Sequence, residues 1–134
     1  MFHWTHIGKI FDPQALQPYS WMMEYAQCPT PFLLDANTVR VIISTRPQRG
    51  TDGLYVSRPG YVDLLRRDFR RILAISPEPL LDLGDPGSFD EFGIMPSTLV
   101  QNGDVAYLYY TGWTRMASVP YTTAIGVAIS NDGG

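Results

Sequence analysis

Residues 61–73 read YVDLLRRDFRRIL, and this stretch can be folded in two ways. Val62, Leu65, Phe69 and Ile72 fall at i, i+3, i+7 and i+10, which is a helical stripe with arginines opposite it. The other reading is a strand at 61–64, a polar turn, and a second strand at 72–75. The surrounding sequence decides between them. Twelve glycines and eleven prolines interrupt the 134 residues too often for long helices. The apolar stretches between them are short and alternate. TVRVIIST sets Val39, Val41 and Ile43 against Arg40, Ile42 and Ser44, and DVAYLYYTG sets Val105, Tyr107 and Tyr109 against Ala106, Leu108 and Tyr110. AIGVAIS places Ile125, Val127 and Ile129 together. LDANTV and VQNGDV read as tight turns between paired strands, the second with the Asn-Gly hairpin signal.

An internal repeat completes the decision. Shifting the chain by 66 positions carries Leu33 onto Leu99, Val39 onto Val105, Ile43 onto Tyr109, Thr45 onto Thr111 and Gly60 onto Gly126. GYVDL then overlies GVAIS, so residues 61–75 are expected to be strand, turn and strand. The expectation is an all-β chain of antiparallel sheets: one partial domain over residues 1–134, with repeats at about 25–75 and 90–134. Sheets at this spacing suggest propeller blades, here about two, and propellers close with four or more. An unclosed pair exposes strand edges, which implies a piece of something longer or self-association through those edges.

Composition bounds the function. Hydrophobic residues make up 45% and charged residues 17%, which excludes a disordered chain. A net charge of −3 argues against a nucleic-acid binder, and Asp63 and Asp68 dilute the arginines of RRDFRR. Nine of the ten basic residues are arginine, whose planar fork suits carboxylate, phosphate or sugar hydroxyls. A single cysteine, Cys28, excludes an internal disulfide framework. There is no apolar run of membrane-spanning length and no leader pattern at the N-terminus, so the expectation is a cytoplasmic protein without a membrane partner.

The motifs IFDP, AQCPTPFLLDANTVRVIISTR, GSFDEFGIMPSTLV, YLYYTGW and VPYTTAIGVAISNDGG together resemble the N-terminal part of five-bladed β-propeller glycosidase-like proteins. That clan includes arabinanase-, β-xylosidase- and fructosidase-type hydrolases and mannoside phosphorylases. The resemblance covers nearly all of this chain and about two-fifths of such a protein. It implies action on glycosidic bonds of a carbohydrate, by hydrolysis, transfer or phosphorolysis, using carboxylates contributed by different blades. One acid protonates the leaving oxygen and a second carboxylate attacks or activates water. Relatives of the fructosidase type place an Asp directly before a Pro in the first blade; here that place reads Gln27-Cys28-Pro29. In the second blade their Asp precedes a Gly and a small-residue strand, which Asp90, Gly93 and Ser97 match. A general acid from a later blade would lie beyond Gly134, so the catalytic set in this chain is incomplete. The alternative is a non-catalytic carbohydrate-binding or assembly module.

Asp90 is therefore the expected catalytic carboxylate. Expected substrate-binding residues are Gln27, an uncharged stand-in for the missing acid, Arg46 at the end of the first long strand, Trp113, Asp12 and Ser97. Each has a plainer reading: a turn-forming Asp-Pro for Asp12, a surface arginine for Arg46, a packed aromatic for Trp113. Glu91 is expected in solvent. Neither Cys28 nor the pair His3 and His6 has the partners that a nucleophile or a metal site needs, and no cofactor or metal is expected.

Overall fold

The computed structural model describes residues 1–51 and 53–132; Gly133 and Gly134, the end of the expected second repeat, lie outside them. Apart from one turn of helix, α1 (Pro13–Leu16), the chain is all-β. β1 (Glu24–Leu33), β2 (Thr38–Arg46), β3 (Arg58–Leu65) and β4 (Asp68–Ile75) form a four-stranded antiparallel meander. β5 (Gly93–Asn102), β6 (Val105–Thr114) and β7 (Thr122–Ser130) form a second, three-stranded one. Two successive up-and-down sheets of this kind are the plan of two propeller blades.

Local chemistry accounts for the hairpins. Asp35 accepts hydrogen bonds from the backbone N–H groups of Asn37 (2.7 Å) and Thr38 (2.9 Å), an Asx turn that closes β1 onto β2. Gly103, at φ +62°, turns β5 into β6. The ambiguous stretch becomes β3, a turn and β4, as the repeat required. Val62 and Leu64 alternate into the core, each 1% exposed, whereas Phe69 of the helical stripe stays exposed. The arginines Arg70 and Arg71 fall on β4, an edge strand, where charge discourages pairing with another chain. Val41, Ile43, Val62 and Leu64 form the core on one face of the first sheet, covered by Ile10 and Phe11 from the N-terminal segment.

The repeat itself needs one correction. In the first sheet Ile43 pairs with Gly60, but in the second Gly126 pairs with Tyr110, not Tyr109. The two middle strands are thus equivalent at a shift of 67, one more than the strands that follow them. A one-residue slip moves every side chain to the other face. The counterparts of Val41 and Ile43 are Leu108 and Tyr110, all four buried; those of Ile42 and Ser44 are Tyr109 and Thr111. The cause is steric. A Cβ at Gly126 would lie 2.3 Å from the Tyr110 ring, and one at Gly60 would lie 2.6 Å from Trp21. Each glycine leaves room for a large aromatic crossing the same point of its sheet.

The second sheet packs on the Ile42 and Ser44 face of the first. Ser44 donates its hydroxyl to the Ile94 carbonyl at 3.0 Å. At one end Ser57 forms a parallel bridge to Gly93: Ser57 N–H donates to Phe92 O (2.9 Å), and Ile94 N–H to Ser57 O (3.0 Å). That junction brings the start of β1, the end of β2, the start of β5 and the end of β6 to one rim.

Candidate functional site

β1 reaches the rim through two bulges. Its register shifts between Glu24 and Gln27 and again between Gln27 and Thr30. Tyr25 (φ +63°) and Cys28 (φ +53°) sit in the left-handed region, which costs non-glycine residues of order 1 kcal/mol each. Gln27, between them, is held opposite Ser44, and its Oε1 is buried with no hydrogen-bond partner among the described residues. An unpaired buried acceptor of this kind carries a penalty of about 1–3 kcal/mol, which a donor reaching the rim would remove.

Arg46 is fixed at the end of β2. Its Nε–H donates to the Ser57 hydroxyl at 3.1 Å, and its guanidinium lies 5.0 Å from the ring centre of Tyr25 and 4.6 Å from that of Tyr55. The two tyrosine rings meet edge to face, 6.1 Å apart. The neighbouring Tyr25 hydroxyl pushes the Tyr55 phenol up, with burial adding to it and Arg49 opposing. Glu24, directly across the strand pair from Arg46, raises it further.

Across the junction, Trp113 lies over Gly93, where a Cβ would sit 1.7 Å from the indole nitrogen. Its ring centre is 6.1 Å from Phe92 and 6.5 Å from Tyr121. Arg115, just after β6, stacks on Phe92 at 3.9 Å and donates from Nη2 to the Tyr55 carbonyl at 2.6 Å. Five aromatic rings and two guanidinium planes thus line one rim.

Asp90 stands in the turn three residues before β5 and points inward. It is 8% exposed, and its Oδ2 accepts the Tyr110 hydroxyl at 2.8 Å. Phe89 stacks on the same tyrosine, and Asp90 Cβ packs against Gly112. Burial, then the bond to Asp90, pushes the Tyr110 phenol up to about 12. Asp90 is therefore placed behind the rim as a buried acceptor rather than on it.

Asp12 is outside this group: it caps α1, accepting from Gln14 and Ala15 N–H, and pairs with Lys9 at 2.6 Å. That set, led by the Lys9 bond, holds its carboxyl below the usual range. Ser97 is the extra residue of a bulge in β5 and is exposed. Glu91 folds back to accept Gly87 N–H. The structure thus brings Gln27, Arg46 and Trp113 to one rim, with Asp90 behind them. Sequence reasoning passed over Tyr25, Tyr55, Arg49, Arg115 and Glu24. For two of them a clue was available in RPQRGTDGLYVS, the connection after β2, where Arg49 and Tyr55 stand close to Arg46 in sequence.

The chain is similar to two uncharacterized proteins of Mycobacterium tuberculosis, from strains CDC 1551 / Oshkosh and ATCC 25618 / H37Rv. Each is 35% identical over 130 residues, covering 97% of this chain and 41% of the relative. The chain thus spans about two-fifths of the length of these relatives. No family model matches it. No solved structure matches it either.

Proposed function

We propose that this chain forms two blades of a five-bladed, glycosidase-like propeller whose rim receives a carbohydrate. The observation that carries the reading is the convergence of Tyr25, Tyr55, Phe92, Trp113 and Tyr121 with Gln27 and Arg46 where β1 and β5 begin. Sugars present flat apolar faces edged by hydroxyls, and aromatic rings flanked by in-plane donors complement both. In the enzyme reading Asp90 tunes the charge behind the rim, and the remaining carboxylates come from blades outside these 134 residues. A binding role without chemistry is favoured by two features: Gln27-Cys28-Pro29 where relatives of the fructosidase type carry an acid, and the tie of Asp90 to Tyr110. Residence in the cytoplasm belongs to the same reading and agrees with a lone unpaired cysteine.

Calorimetric titration with a panel of neutral oligosaccharides, alongside an assay for new reducing ends, tests it. Saturable binding is expected, weakened at least tenfold by Tyr121→Ala, whose exposed ring can be removed without disturbing the core. Turnover abolished by Asp90→Asn supports the enzyme; binding without product supports the binding role. Absence of binding to every saccharide overturns the proposal.

A further inference from the structure

Where the two sheets meet at the rim lies a cleft of about 330 Å³. The connection after β2 contributes Pro47, Leu54, Tyr55 and Val56 to its lining. Phe92, just before β5, and Arg115, just after β6, come from the second sheet. Backbone bonds tie these contributions together: Ser57 N–H donates to Phe92 O at 2.9 Å, and Phe92 N–H donates to Trp113 O at 3.2 Å. Among the described residues that line the cleft, Arg115 alone is charged. Its guanidinium is held in place by a bond from Nη2 to Tyr55 O at 2.6 Å and by the Phe92 ring, whose centre is 3.9 Å away. The lining therefore combines apolar and aromatic walls with one fixed planar cation.

We infer that this cleft receives an aromatic ring, and that the carbohydrate taken by the neighbouring rim is an aryl glycoside. The second half rests on the carbohydrate reading above; the first does not. Size permits it, since an apolar cavity of about 150 Å³ is enough to hold benzene. The rest of the cleft leaves room for the link to a sugar. Charge selects the ring over other apolar groups. A saturated group would cover the walls but set the Arg115 guanidinium against hydrocarbon. An aromatic ring offers the cation its negative face, repeating the contact that Phe92 already makes, and stays neutral against the apolar walls. An anion would satisfy Arg115 but lose its own hydration beside Pro47, Leu54 and Val56. Phe92 joins the cleft to the rim, since its ring centre is 6.1 Å from that of Trp113. An aryl group in the cleft thus directs the attached sugar toward Trp113 and Tyr121.

The test is calorimetry with matched phenyl, cyclohexyl and methyl glycosides of glucose, mannose, xylose and arabinose, together with phenol and hexanoate. For the sugar that fits, the phenyl glycoside should bind at least tenfold tighter than the methyl glycoside. It should also bind at least threefold tighter than the cyclohexyl glycoside, although cyclohexyl buries no less apolar surface. Arg115→Gln should remove the preference for phenyl over cyclohexyl. Leu54→Ser, at a side chain already 47% exposed, should lower the phenyl-to-methyl ratio at least threefold and leave the thermal transition in place. Phenyl and methyl glycosides binding equally well would overturn the aromatic site and leave the carbohydrate reading intact. Cyclohexyl binding as tightly as phenyl, or hexanoate binding more tightly than phenol, would overturn the choice of an aromatic ring. Phenol binding that no attached sugar strengthens would uphold the cleft and overturn the aryl glycoside.

Discussion

Tyr110 and Asp90 form the most consequential pair at the residue scale, because each would be costly to bury alone. The phenol donates to the carboxylate at 2.8 Å, and both residues are at most 9% exposed. Since the fold raises the phenol to about 12, it favours the neutral form. The stabilisation is complete below the ordinary tyrosine range near 10 and is lost as pH climbs through about 12. An ultraviolet titration of tyrosinate should therefore show a late step coinciding with unfolding. Tyr110→Phe should abolish that step and, by leaving a buried carboxylate short of a donor, cost about 1–3 kcal/mol in urea denaturation. A normal titration for all eight tyrosines would refute the pairing. Asp90 was conspicuous in the sequence, but its partner was not. The two are twenty residues apart, and only the pairing of β5 with β6 and the face that Tyr110 occupies bring them together.

At the scale of elements, alternation and turn chemistry were legible, and register was not. TVRVIIST, DVAYLYYTG and AIGVAIS each became a strand, and the repeat correctly turned YVDLLRRDFRRIL from helix into hairpin. The slip of one residue escaped because both faces of the middle strands are apolar: Val41 and Ile43 on one, Ile42 on the other. A shift of 66 and one of 67 then satisfy hydrophobic patterning equally well. What distinguishes them is the place of a glycine beneath a tyrosine, a relation between strands. Gly126→Ala should therefore be destabilising although β7 is an exposed edge, because its Cβ would fall 2.3 Å from the Tyr110 ring. A loss of about 1–3 kcal/mol is expected from overpacking. Tyr110→Leu in the same background should recover part of it. A neutral Gly126→Ala would show that Tyr110 does not cross β7 there. The bulges of β1 were invisible for a related reason: EYAQCPTP carries no glycine to mark Tyr25 or Cys28 as left-handed.

The corrected register also has a consequence for the whole molecule. Ile42 and Ser44 lie on the face of the first sheet that the second sheet covers, and their counterparts Tyr109 and Thr111 lie on the far face of the second. Val100, Tyr109, Ile125, Val127 and Ile129 share that far face, and all are exposed, Ile125 to 82%. By the logic of the repeat, this surface corresponds to the face of the first sheet that the second sheet covers. The same strand has an unprotected edge. β1 carries Pro29 and Pro31, β4 its arginines and β5 Pro96, but TTAIGVAIS offers neither charge nor proline. In water a continuous apolar face beside a bare edge drives association. The 134-residue chain, prepared alone, should accordingly show a mass that rises with concentration in sedimentation velocity. Ile125→Asp and Val127→Asp together leave the edge hydrogen bonds available but place two charges on the face. If they return the chain to a monomer, the face carries the contact. If association survives them, strand pairing along β7 carries it instead, and a chain that is monomeric at every concentration would refute both.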